Sequence, residues 1–340
     1  KKLYFWSPGG QNPENLKLEI SKRNIGFDVS NNSDIIIIGL QIELFNNYAY
    51  RIIGENSTSN AHRNQIINSQ IRFVNKGIFL KQFVSGVDDQ IAITKFLVEN
   101  SIFSYIDSRA IDSYFSWDGI PSPEKFTYAG IRETVIRNNL FHHIGYFSHE
   151  RSAVGIRFFY PHQLVFEGNH IHHIAHNGMH LHLSLVDSTE IYDLDSDEIK
   201  LGEILIKDNL FEKTCQAGSD CAGLKIGGSN RPYSHIFRDV LIMGNTFRHI
   251  FGWSYVSILR NKNIYGDGNG FYLDYASGVH AFRNISYYNS GAGYKLACLW
   301  RDGEAVFYNN IATGNYLYGI RATGKGSCDE HYGSVNSQFV

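Results

Sequence analysis

Residues 169 to 183 read NHIHHIAHNGMHLHL, which places six histidines in fifteen positions. Imidazoles ligate metals and carry protons near neutral pH, so this density raises metal-centred and acid–base chemistry first. Carboxylates are the second reactive set: Asp220 in GSDCAG, Asp267 and Asp274 in GDGNGFYLDYASG, and Asp302 in WRDGE. Two carboxyls, one protonated and one ionised, cleave a glycosidic bond when they flank it. A lysine or arginine acting as base beside a calcium-held uronate performs elimination instead, and Lys225, Lys295, Arg260 and Arg301 are candidates for that role. Which of these chemistries is open depends on which residues the chain brings together.

Two short phrases recur along the chain. The first is asparagine, a variable residue, then an apolar one, as in NSIF, NNLFHHI, GNHIHHI, DNLFEKT, GNTFRHI, RNISYYN and NNIATGN. Its markers, Asn100, Asn139, Asn169, Asn209, Asn245, Asn284 and Asn310, are 39, 30, 40, 36, 39 and 26 residues apart. The second is glycine, apolar, variable, apolar: GIRF at 155, GMHL at 178, GLKI at 223, GFYL at 270, GYKL at 293 and GIRA at 319. Around both phrases apolar and polar residues alternate with strand periodicity, and no helical stripe is sustained.

Short strands recurring every 25 to 40 residues or so, without helices between them, form a solenoid whose coils stack at about 4.8 Å. An asparagine turned inward at a bend offers donors and an acceptor to turn backbone groups that a hydrophobic residue would leave unpaired. On these phrases the sequence resembles the right-handed parallel β-helix proteins of the pectate-lyase-like superfamily, over nearly its whole length. The resemblance implies an all-β, single-stranded parallel β-helix of about nine to ten coils, one domain over 1–340, with insertion loops at about 104–126 and 187–203. It leaves function open, since this scaffold hosts polysaccharide lyases, glycoside hydrolases, epimerases, phage tailspikes and adhesins.

If the apolar positions of the second phrase face inward, the variable position faces out. The outward column then reads Arg157, His180, Lys225, Tyr272, Lys295, Arg321, a basic stripe interrupted by an aromatic ring. Such a stripe suits an extended ligand rich in hydroxyls or carboxylates. Two residues further on, the column is Phe159, His182, Gly227, Asp274, Ala297, Thr323. Asp274 between two small residues is expected at the floor of an indentation walled by Lys225, Tyr272 and Lys295. Asp274 with Asp220 is the preferred catalytic pair and Asp302 the reserve. Arg157, His180, His182, Lys225, Tyr272, Lys295, Arg301 and Trp253 are the substrate-binding candidates.

Aligned on the marker asparagines, His142 lies under His172 and His143 under His173. These columns continue with Glu212 and Arg248, and with Lys213 and His249. A column changing from His to Glu to Arg reads as a polar strip, and no metal site is assigned. His180 and His182 share a face, but no third ligand suggests itself. In DSTEIYDLDSDE, Asp193, Asp195 and Asp197 alternate like a calcium loop without the glycine that an EF-hand needs, so a solvated insertion is preferred. No cofactor is required, and Ca2+ is compatible with the site.

A net charge of −2 provides no general attraction to nucleic acid, and no apolar run reaches the length of a membrane span. The start KKLYFWSPGG lacks a signal-peptide pattern and reads as a strand, as expected of a fragment cut from a longer secreted or cell-surface protein. Cys215 and Cys221 flank a short loop that a disulfide could close, or they stay as buried thiols. The favoured expectation is an extracellular glycoside hydrolase acting on a cell-wall polysaccharide. A non-catalytic polysaccharide-binding adhesin, for example on cellulose, is the alternative, with a lyase or a tailspike-like stalk behind it. The 21 tyrosines among 14% aromatic residues suit sugar binding without requiring catalysis.

Overall fold

The computed structural model describes residues 23–54, 61–84, 93–117, 131–146, 153–159, 161–183, 204–218, 220–227, 240–252, 267–274, 276, 278–297, 305–323 and 337–339. Among these residues the chain is all-β and forms two parallel sheets, of 16 and 12 strands. Successive coils stack as a parallel β-helix. The smaller sheet counts the coils: ten strands follow one another from Ile36–Ile38 to Ser337–Phe339, in agreement with the expected nine to ten.

The larger sheet forks. The strand Ile102–Trp117 pairs through its first half with Leu140–Ile144 and through its second with Ile156–Phe159. From there the asparagine-led and glycine-led strands climb as separate faces. This corrects the reading of 104–126 as an insertion loop, because residues 104–117 belong to that strand. Phe103, Ile106, Ala110 and Ile111 are buried in it. Residues 118–126 and the second expected insertion, 187–203, lie outside the described residues.

The bend between the first two faces is a two-residue corner. Its first residue is left-handed in every coil: Asn100, Asn138, Gly168, Asp208, Gly244, Arg283 and Asn309 have φ between 50° and 66°. Its second residue turns into the core. Asn139, Asn169, Asn209, Asn245 and Asn284 each donate their backbone N–H to the Oδ1 of the next asparagine, at 2.9–3.0 Å. Each Nδ2 also reaches a carbonyl oxygen on the smaller sheet, such as Val98 for Asn139 and Phe166 for Asn209. The amide column therefore pairs corner groups that no strand can reach. One marker is corrected: Asn100 is the left-handed residue, and Ser101 holds the ladder position, donating its N–H to Asn139.

The glycines of the second phrase also stack. A Cβ at Gly155, Gly178, Gly223, Gly270 or Gly293 would lie 2.5–3.0 Å from the carbonyl oxygen of the next glycine in the column. Any side chain there would push neighbouring coils apart. Cys215 and Cys221 are bridged, with Cα atoms 5.8 Å apart.

Candidate functional site: an ion-paired groove

Strands Ile156–Phe159, Met179–His182, Cys221–Gly227, Gly268–Asp274, Ala292–Ala297 and Tyr318–Thr323 pair in parallel. Their register aligns Arg157, His180, Lys225, Tyr272, Lys295 and Arg321, and beside them Phe159, His182, Gly227, Asp274, Ala297 and Thr323. Both columns match the sequence reading residue for residue. The alternate positions Leu224, Ile226, Phe271, Leu273, Tyr294 and Leu296 are in the core, at most 1% exposed. Outward projection of the polar column thus follows from burial of the apolar one.

At the centre the Tyr272 ring lies between two ammonium groups, Lys225 at 4.3 Å and Lys295 at 4.2 Å from its centroid. Lys225 Nζ contacts Asp274 at 3.0 Å and Asp220 at 3.4 Å. Lys295 Nζ contacts Asp220 at 3.1 Å and Asp267 at 2.8 Å. The Tyr272 hydroxyl hydrogen-bonds the Asp274 carboxylate. Gly227 and Ala297 flank Asp274 in the register, but the space beside Gly227 is taken by the His180 ring, whose Nε2 would stand 2.9 Å from a Cβ there. Asp220 and Asp274 are therefore brought together, through one shared ammonium.

Desolvation opposes ionisation of Asp220, but Lys225 and Lys295 outweigh it and hold its carboxyl below the usual carboxylate range. Asp220 is a base or nucleophile at neutral pH and not a proton donor. Burial, together with the charges of Asp274 and Asp220, pushes the Tyr272 phenol far up, so it stays a hydrogen-bond donor.

Sequence reasoning had Asp267 among the nearby acids without giving it a role, yet it completes the Lys295 pairing. A signal was present: Asp220 and Asp267 each stand three residues before a phrase glycine, and the register of Cys221 with Gly268 aligns them. Asp302, Arg301, Arg260 and Trp253 lie outside the described residues.

Toward the N-terminal end the groove is built differently. Arg157 is itself paired: its Nε donates to Asp112 Oδ1 at 2.8 Å. Asp112 is fully buried and also contacts Lys76 at 2.7 Å and Arg109 at 3.1 Å. Asp112 and Arg109 lie in the stretch that the sequence reads as an insertion loop, and Lys76 is on the neighbouring strand Gln70–Val84. His180 and His182 face the groove with ring centroids 3.8 Å apart, and His182 stacks on Phe159 at 4.3 Å. Desolvation, then Arg157 and Lys225, push the His182 imidazole down to about 3, and His180 is lowered as well. Both rings are neutral at pH 7 and suit hydrogen bonding to hydroxyls.

His142, His143, His172 and His173 occupy a separate face. His142 stacks on His172 and His143 on His173, with centroids 5.1 and 4.8 Å apart, and the His172 column continues through Glu212 to Arg248. Glu212 accepts from Arg248 at 2.7 Å and pairs with His170 at 3.0 Å. Among the described residues no three His, Cys, Asp or Glu side chains converge as a metal site would require. No described helix is long and apolar enough to cross a membrane.

No protein-family model matches the sequence, and no curated protein matches it. Among solved structures, the chain is similar to a mutant tailspike protein of E. coli bacteriophage HK620. The TM-score is 0.52 at 10% identity, over 91% of this chain and 46% of the tailspike. The chain thus spans less than half the length of that protein. At this identity the likeness bears on the fold, and it agrees with the parallel β-helix.

Proposed function

We propose that the protein is an extracellular polysaccharide-recognising β-helix that hydrolyses glycosidic bonds in the Lys225–Tyr272–Lys295 groove. The observation that carries this reading is the single ammonium of Lys225 touching both Asp220 and Asp274 on the outward face. Because both carboxylates touch one ammonium, at 3.0 and 3.4 Å, they lie close enough to act on one glycosidic bond. One member acts on water or on the sugar carbon and the other as the acid, with Asp220 as the ionised member. Asp274, between Gly227 and Ala297, is the second carboxyl, and it serves as the acid only after substrate has displaced Lys225 from it and it has taken up a proton. Substrate hydroxyls displacing Lys225 from one carboxylate would complete the arrangement. The disulfide at Cys215 and Cys221 supports a secreted or cell-surface setting.

A second reading, a non-catalytic polysaccharide binder, is favoured by the mutual pairing of every charged group at the centre. Lys225 and Lys295 are only 12% and 7% exposed and are each committed to two carboxylates. That commitment also speaks against either lysine as the base of a lyase. The test is product analysis on cellulose, xylan, pectin and alginate with wild type, Asp274→Asn and Asp220→Asn. Hydrolysis predicts reducing sugar from wild type and at least about a 100-fold loss in each variant, with binding kept. Binding without release of any sugar supports the second reading, and unsaturated products would support a lyase.

A further inference from the structure

Formal charge is distributed unevenly along the groove. At its centre three carboxylates, Asp220, Asp267 and Asp274, face two lysines. At its N-terminal end the order reverses among the described residues, where the buried carboxylate of Asp112 faces Lys76, Arg109 and Arg157. Lys76 and Arg157 by themselves already outnumber it, and their side chains remain 20% and 17% exposed. Asp112 is nevertheless held ionised against its burial, chiefly by Arg157 and Arg109. The same cations, with burial, depress His182, so the neighbouring imidazoles add neither charge nor counter-charge. Aromatic rings wall this end. Arg157 lies 4.8 Å from the Phe159 centroid, and Lys76 lies 4.8 Å from that of Phe79. The Arg157 guanidinium, partly exposed beside an apolar ring, is weakly hydrated and interacts strongly with an incoming anion.

We propose that Arg157 and Lys76 form an anion subsite for the carboxylate or sulfate group of an acidic polysaccharide, with Arg157 three coils, or about 14 Å, from Tyr272. This rests on the reading of the groove as a polysaccharide site. The carboxylates at the centre repel an anionic sugar, whereas the Arg157 end attracts one. The charged unit is thus held several sugars away from the bond facing Asp220 and Asp274, and the polymer enters in one direction only. The centre itself takes a neutral or hydroxyl-presenting unit.

The experiment measures binding of the intact chain to matched polymers: alginate against carboxyl-reduced alginate, and carrageenan against its desulfated form. Wild type, Arg157→Gln and Lys76→Gln are compared at low and high salt, with urea midpoints verifying the fold of each variant. The expected result is binding about tenfold or more tighter to one charged polymer than to its neutral partner. That preference falls toward unity at high salt and in both variants. The alginate and carrageenan arms distinguish carboxylate from sulfate as its source. Equal binding of charged and neutral polymers, or a preference that survives in both variants, overturns the subsite and leaves the groove reading standing. Failure to bind any polymer overturns the groove reading and the subsite with it.

Discussion

Replacing Gly270 by alanine adds one methyl group to a core whose backbone already permits it, since Gly270 is not left-handed. The cost comes from the neighbouring coil. The new Cβ would stand 2.1 Å from Ser286 Oγ, 2.5 Å from the Gly293 carbonyl oxygen and 3.1 Å from Phe247 Cβ. An ordinary carbon–oxygen contact needs about 3.3 Å, so Gly268–Asp274 and Ala292–Ala297 must separate by roughly 0.8 Å. Overpacking on this scale costs about 1–3 kcal/mol, and each strained ladder bond adds up to about 1 kcal/mol, for an expected loss near 3 kcal/mol. The same substitution at Gly319, in the last described glycine-led strand, meets only Ala312 Cβ and O, both at 3.6 Å, among the described residues. There it is expected to be neutral, or stabilising by about 0.5 kcal/mol through the unfolded chain. Urea midpoints of the two variants, followed by tryptophan fluorescence, make the comparison. A loss below about 1 kcal/mol at Gly270, or an equal loss at Gly319, would refute the stacking argument and with it the geometry that aligns Lys225, Tyr272 and Lys295.

Two further outcomes follow from the ladder and the imidazoles. Asn209→Ala removes the acceptor for Asn169 and the donor to Phe166 and Asn245, all buried, and is expected to cost about 3–5 kcal/mol in chemical denaturation. Asn310→Ala, at the partly buried end of the column, should cost about 1 kcal/mol. On acidification, His172 and His182, held at about 4 and 3 by burial and neighbouring charge, stay neutral in the folded chain while their unfolded counterparts protonate near pH 6.5. Their contribution is complete above pH 6.5 and declines as the pH falls through 5 toward 4 and then 3. A urea midpoint at pH 5 that equals the one at pH 7.5 would contradict this, and His172→Gln should flatten the slope.

The sequence alone determined the coil and its register. A marker asparagine and a phrase glycine each impose a local requirement, an amide at an inward corner and a missing Cβ between coils, and local requirements leave local signatures. Period-two burial then settled which side chains point outward, so the column from Arg157 to Arg321 was legible without coordinates. Ser101 shows where that legibility ended, since a hydroxyl fills the ladder position beside an asparagine that looked like the marker. Only the tertiary structure decided which charges meet. Lys295 reaches Asp220 across 75 residues, and Arg157 reaches Asp112 across 45. Such pairings depend on how far a long side chain extends over the coil beside it. Chain spacing does not encode that reach, because ion pairs across stacked coils are set by their common axis and not by the loops between them.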